Sequence, residues 1–342
     1  MFKKTLLITS TILALSVSSM SQANVWVLPR ANPNNAWEMV GTNPPPDPVT
    51  ALYLDPQTNN IFAASDGIIF KATFDPSNQQ YTWKPLSAAG LPGGRILNIV
   101  SNSTGDVFAS TIVGAVYYLV LGTSQWQLAG SEPPENIPVG GLIIKQDTLF
   151  ATDGNQVVSL SRPYVRGQWG LVGTGLPSGV GIYVLSFDNQ GNLFAAGQAD
   201  ESLQSAFELQ LSTRSTTWKP LPLLLDPIVP NYGENILAIA LDKNDNLFAS
   251  GADGVYELPG PAPYTNSKWQ TLASRREDQI FGNNYLQLDA QGHPYVGGNE
   301  PNGLAGYDVG GQQGWWQFPD FNEETITGLQ LDSFGDLFAS GE

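Results

Sequence analysis

The chain of 342 residues carries thirty-one Asp and Glu, one His and no Cys, which limits the chemistry open to it. Without cysteine there is no thiolate nucleophile, no thiolate metal site and no disulfide. The single His293 stands in Gly292-His293-Pro294. A metal site or a general base needs partners, and no second imidazole is present to supply one, so a polar turn residue is expected. Asp188, Asp242, Asp289 and Asp332 each close an apolar run and lie three residues before Gly or Asp. These stretches look like fragments of calcium loops, yet each has too few oxygens for the six to eight ligands calcium takes. Turn closure by side-chain to backbone bonds is the expected role. Asp66-Gly67, Asp153-Gly154 and Asp253-Gly254 read as tight hairpin turns. No catalytic residue, metal or cofactor is assigned. A carboxylate pair roughly 5 to 10 Å apart could still hydrolyse a glycosidic bond.

The elements that must hold these residues are set by a repeat. Trp37, Trp83, Trp126, Trp169, Trp218, Trp269 and Trp315 or Trp316 recur every 43 to 51 residues. Each is followed by a loop, an apolar run, a Leu-Phe-Ala-like triplet and a short strand. The fullest copy reads Ile236 to Leu241, Leu247-Phe248-Ala249-Ser250, Gly254 to Leu258, then Trp269 to Leu272. Four short β-segments with a period in the forties predict an all-β fold, a seven-bladed β-propeller with four antiparallel strands per blade. The strands are labelled A to D from the central channel outward. The fixed register of the tryptophans predicts packing between blades, leaving Trp26 and one of Trp315 and Trp316 as candidates for exposed aromatics.

The last B strand, Leu337-Phe338-Ala339, is followed only by Ser340 to Glu342, so the seventh blade lacks two strands. Residues 25–28 match Val255 to Leu258, and residues 37–40 match Trp269 to Leu272. The N-terminal strands are therefore expected to complete the last blade and close the ring.

Residues 1–23 read as a cleaved signal peptide: Lys3 and Lys4, an apolar stretch, and Ser21-Gln22-Ala23. About a dozen apolar residues do not reach the roughly twenty needed to span a bilayer. Residues 24–342 are expected to form one propeller domain, monomeric and periplasmic or secreted. Removing Lys3 and Lys4 leaves 13 basic against 31 acidic residues, a formal charge of −18. That balance disfavours nucleic acid and anionic membranes as partners.

Gly90-Leu91-Pro92 and Gly175-Leu176-Pro177, each followed by an A strand and then Gly105-Asp-Val-Phe108 or Gly191-Asn-Leu-Phe194, resemble the sensor propellers of two-component regulators. Asp55-Pro56, Thr82-Trp83 and Thr217-Trp218 resemble degenerate Asp-box repeats of sialidase and sortilin type. An intact box, Ser-x-Asp-x-Gly-x-Thr-Trp, is preserved nowhere. The resemblance implies a fold and carries no sialidase chemistry. Streptogramin-lyase propellers, which use histidines with a metal, are a further relative in fold; this chain has one His.

The D-to-A connections differ most among the copies and should share a face with the B-to-C turns. Variable loops on a rigid scaffold are where binding usually sits. They hold Asp226, Tyr232 and Glu234, then Asp278, Phe281 and the adjoining Tyr285, then Asp320 and Phe321. Carboxylates beside aromatics suit a glycan or a basic peptide. The expected function is an exported, non-enzymatic module binding a protein, peptide or glycan. The alternatives are a carbohydrate-active hydrolase or lyase with a carboxylate pair in the mouth, and an assembly role for the acidic surface.

Overall fold

The computed structural model describes residues 25–31, 36–46, 48–75, 77, 80–130, 139–199, 205–224, 235–274, 283–298, 304–307, 314–318 and 325–341. They form seven four-stranded antiparallel sheets and three single 3-10 turns. Blade 1 comprises Val49–Leu54, Ile61–Ser65, Ile68–Asp75 and Gln80–Pro85. Blades 2 to 6 repeat this meander, with A strands Ile96–Ser101, Leu142–Lys145, Val180–Phe187, Ile236–Leu241 and Asn283–Leu288. The A strands of neighbouring blades lie against one another around the channel.

The Leu-Phe-Ala triplet explains how the blades stack. Alternate residues of a strand face opposite sides, so its first and third residues enter one interface and its second enters the other. Ile61 and Ala63 pack with Phe338 of blade 7, while Phe62 packs with Val107 and Ala109 of blade 2. The same exchange places Phe108 beside Leu149 and Ala151, and Phe194 beside Leu247 and Ala249. Seven such clusters make the core, one per seam. Alanine in the third position lets the next sheet approach closely.

The tryptophans lean on the preceding blade and anchor there by a hydrogen bond. Trp83 Nε1 donates to Val40 O (2.6 Å), Trp126 to Ser87 O (2.6 Å), Trp169 to Ala129 O (3.0 Å) and Trp218 to Val172 O (2.8 Å). Trp269 and Trp315 donate to Pro222 O and Leu272 O, both at 2.8 Å. At the closing seam Trp37 stands edge-on to Phe318, their ring centres 6.3 Å apart. The two remaining tryptophans are not exposed as expected. Trp26 is half-buried in the closing blade, and Trp316 packs against the cluster holding Tyr295 and Phe318.

Closure follows the sequence reading. Val25–Leu28 pairs with Leu337–Gly341, in register from Val25 opposite Ser340 to Leu28 opposite Leu337. The outermost strand is Glu38–Met39, and Val40 N continues it to Val25 O at 2.8 Å. At the seam with blade 1, a side chain on Gly328 would lie 2.4 Å from Leu52 Cβ, so the approach requires glycine.

The A-to-B turns show why Asp recurs there. Asp188 Oδ1 accepts Asn192 N and its Oδ2 accepts Asn192 Nδ2, both at 2.7 Å; Asp242 treats Asn246 in the same way, at 2.8 and 3.0 Å. His293 fills the same place in blade 6, with N to Asp289 Oδ1 and Nδ1 to Asp289 Oδ2 both at 2.9 Å. The second member also reaches strand C's exit: Asn246 Oδ1 accepts Gly260 N (2.8 Å), and Asp336 Oδ1 accepts Arg30 N (2.7 Å), tying the two ends of the chain.

Blade 7 alone among the described turns has a carboxylate at both the first and the last position, Asp332 and Asp336. Burial first, and the Asp336 charge in addition, raise the Asp332 carboxyl above its ordinary value of 3.8. An acid held up in the fold favours folding fully below the unfolded value, and that contribution is lost as pH rises through the folded value. At pH 7 the pair therefore opposes closure. Asp336→Asn keeps an oxygen for Arg30 N and adds an amide donor to Asp332. We expect it to stabilise the protein by about 1 kcal/mol at pH 7, an effect that fades as pH falls through the raised value and is gone near pH 3.8. Thermal unfolding at both pH values checks this; an unchanged midpoint at pH 7 contradicts it.

Candidate functional site

The D-to-A connections and B-to-C turns lie on one face, as local contacts demonstrate. Ser65 Oγ at the end of strand B donates to Pro46 O in the connection before blade 1. Ile112 N in the second B-to-C turn bonds Arg95 O (3.0 Å), and Ile182 N bonds Gly154 O (2.8 Å) across the seam from blade 3 to blade 4. A cleft of about 420 Å³ opens on this face between blades 1 and 2. Its walls are Asp66-Gly67 and Gly94-Arg95, with Pro48 and Thr50 below. Asp66 and Gly67 have φ of 48° and 70°, the paired left-handed conformation of a two-residue hairpin turn. Thr50 Oγ1 donates to Ile96 O at 3.0 Å, which fixes the floor across the seam. Asp66 and Arg95 remain exposed, offering one charge of each sign.

The three Asp-Gly pairs do not occupy equivalent places in their hairpins. Ser65 pairs with Ile68, so Asp66-Gly67 form the first turn itself. In blade 3 Asp153 pairs with Gln156, and Gly154-Asn155 make the turn. In blade 5 Ser250 pairs with Val255 around a four-residue loop that contains Asp253. The same dipeptide thus takes three positions relative to its hairpin, because strand length and not the dipeptide sets the register.

Of the residues expected to bind, Asp226, Tyr232, Glu234, Asp278, Phe281, Asp320 and Phe321 lie outside the described residues. Tyr285 lies in the A strand of blade 6, half-buried and packed against the cluster of the sixth and seventh blades. It adjoins a register shift between Asn283 and Tyr285.

That shift belongs to a series which the sequence did not disclose. Six A strands carry a bulge near their start, at Thr50, Leu97, Tyr183, Leu237, Asn284 and Thr327. A bulge re-aims a side chain at the rim of a sheet. Tyr183 is accordingly 42% exposed within an otherwise apolar strand, its hydroxyl 3.4 Å from Gln198 Oε1. Ile112 and Val113 of the second B-to-C turn are also exposed on this face. Arg95 and Tyr183 were legible only as types: a lone cation after two glycines, and a tyrosine in a strand expected to be buried.

Among the described residues no group of three or more His, Asp and Glu could hold a metal ion. The one His is engaged in its turn. What the face offers is a notch of opposite charges beside the exposed Ile112, with an exposed tyrosine, Tyr183, two blades further round the rim, an arrangement suited to recognition.

No protein-family model matches the chain, and no curated protein sequence does. In fold it is similar to the extracellular domain of BT4673 from B. thetaiotaomicron, described as a hybrid two-component system. The TM-score is 0.60 at 12% identity, over 86% of this chain and 37% of that one. The chain thus spans little more than a third of that relative. It is also similar to virginiamycin B lyase from Staphylococcus aureus, with TM-score 0.62 at 8% identity over 94% of this chain and 100% of that one. Streptogramin B lyase gives 0.64 at 10% identity, over 93% and 98%. At such identities the likeness concerns architecture alone, and the architecture is a seven-bladed β-propeller whose last blade is built from both ends of the chain.

Proposed function

We propose that the protein is an exported, non-enzymatic binding propeller that holds a protein, peptide or glycan on its connection face. The observation that carries this reading is the cleft of about 420 Å³ on a rigid seven-blade scaffold, with Asp66 and Arg95 on its walls and Ile112 exposed beside it. Cavities of roughly 300 to 1,000 Å³ accommodate small ligands or single side chains of a partner. The long connections holding Asp226, Tyr232, Glu234, Asp278, Phe281, Asp320 and Phe321 extend the same face in this reading.

Two further observations support it. The solved propellers of similar fold include an extracellular sensor-system domain. No described helix is long and apolar enough to cross a membrane. Export itself rests on residues 1–23, which lie outside the described residues, and places the protein in the periplasm or outside the cell.

A glycan array and a pull-down from envelope extract test the proposal, each run with the parent protein and with the triple variant R95A/Y183A/Y232A. The expected result is a ligand whose affinity falls at least tenfold in the variant while the unfolding midpoint stays within a few degrees. Empty screens, or binding indifferent to the substitutions, would overturn it. Turnover of a captured glycan, seen as new reducing ends, would instead favour a hydrolase or lyase.

A further inference from the structure

The opposite face, where the A-to-B turns lie, is interrupted at one blade. The described turns run Asp55–Asn60, Asn102–Asp106, Asp188–Asn192, Asp242–Asn246, Asp289–His293 and Asp332–Asp336, each closed by its Asp or Asn side chain. Blade 3 instead turns through Gln146 and Asp147 alone, at φ of 49° and 57°, with Lys145 paired to Thr148. The shorter turn leaves space beside blade 4, and a cleft of about 420 Å³ occupies it.

The lining combines three kinds of group. Phe150 and Phe187, from the two blades, meet edge to face with ring centres 5.2 Å apart. Lys145 Nζ stands 4.4 Å from the centre of the Phe187 ring and donates to Asp188 O at 3.4 Å, a long bond. Gln146 and Gln190 stand at the rim, exposed, and make no hydrogen bond among the described residues.

Lys145 is set apart by its position, half-buried over the Phe187 ring in the wall of a cleft, where the other described lysines except Lys71 are exposed. In a chain of net charge −16, no described carboxylate lies within 4 Å of its ammonium. The nearby Asp188 carboxylate is occupied on both oxygens by Asn192, and only its backbone oxygen bonds the lysine. Asp147 faces Arg162 at 3.6 Å and Ser103 at 3.0 Å. The ammonium therefore keeps donors directed at the cleft, where partial burial strengthens a charge-assisted bond.

We propose that this cleft binds an acidic sugar, a uronate residue whose carboxylate pairs with Lys145 and whose C–H face packs on the Phe150–Phe187 wall. The Gln146 and Gln190 amides would meet its ring hydroxyls, each amide offering both a donor and an acceptor. Neutral sugars lack the group that the lysine requires. The site is separate from the connection face and stands whether or not that face binds a ligand.

The test is calorimetric titration of the full-length protein with a trigalacturonate and, as the neutral counterpart, a galactose trisaccharide. The acidic trimer is expected to bind at least tenfold more tightly. Lys145→Gln should weaken it tenfold or more, Lys145→Arg should retain most of it, and Lys219→Gln on an outer strand should leave it unchanged. Thermal unfolding of each variant establishes that it is folded. The proposal is overturned if the trimers bind equally, if neither binds, or if Lys145→Gln matches the parent. It is also overturned if R95A/Y183A/Y232A, and not Lys145→Gln, abolishes uronate binding, since the ligand would then belong to the other face.

Discussion

A protein lacking residues 25–40 is expected to lose its cooperative unfolding transition and to be recovered largely as aggregate. The segment supplies Val25, Leu28 and Val40, exposed by 0, 1 and 2%. Burying such a side chain contributes about 1.5 to 3 kcal/mol, so three together match much of a total stability of about 5 to 15 kcal/mol. Its removal also bares the edge of Leu337–Gly341, a strand whose five residues are all buried. An unpaired apolar edge invites pairing with another chain. Arg30 N is lost from Asp336 as well. Urea unfolding followed by tryptophan fluorescence measures the effect, with a peptide of residues 25–40 added in trans as a rescue. A truncated protein that unfolds with the parent's midpoint and slope would sink the closure argument, because it would mean the ring holds without its outer strands.

The ring itself was readable because each interface is encoded twice. Leu-Phe-Ala assigns one residue to the seam behind and the next to the seam ahead, so the triplet recurs wherever a blade has two neighbours. The ends were readable by the same logic, since residues 25–28 match the C strand of blade 5 and pair where a C strand is missing. What stayed hidden depends on register. The bulge that turns Tyr183 outward leaves no mark in an apolar run, because any residue can take the extra place. The three Asp-Gly pairs look alike yet sit at different points of their hairpins. The notch beside Lys145 left a visible trace, a turn three or four residues shorter than its relatives, whose meaning required the neighbouring blade in place. The residues first expected to bind lie mostly in long connections, where no repeat constrains the path.

The tryptophan series separates a structural from a recognition role most sharply at Trp218. The ring is 3% exposed, packs with Val172, Leu193 and Phe207, and donates to Val172 O at 2.8 Å. Its place is shaped for it: a side chain on Gly173 would lie 2.8 Å from Trp218 Nε1. Replacing a buried indole by alanine costs about 3 to 5 kcal/mol, through lost transfer energy and the cavity left behind. Trp218→Phe keeps much of the volume and removes the donor, leaving Val172 O unpaired at a cost of about 1 to 3 kcal/mol. We therefore expect Trp218→Ala to lower the unfolding midpoint by roughly 10 °C and Trp218→Phe to fall between it and the parent. A stacking platform would behave the other way, losing ligand affinity with little change in stability. Calorimetric scans of the two variants decide between these outcomes. If both unfold with the parent, the indoles are not the pegs that join one blade to the next.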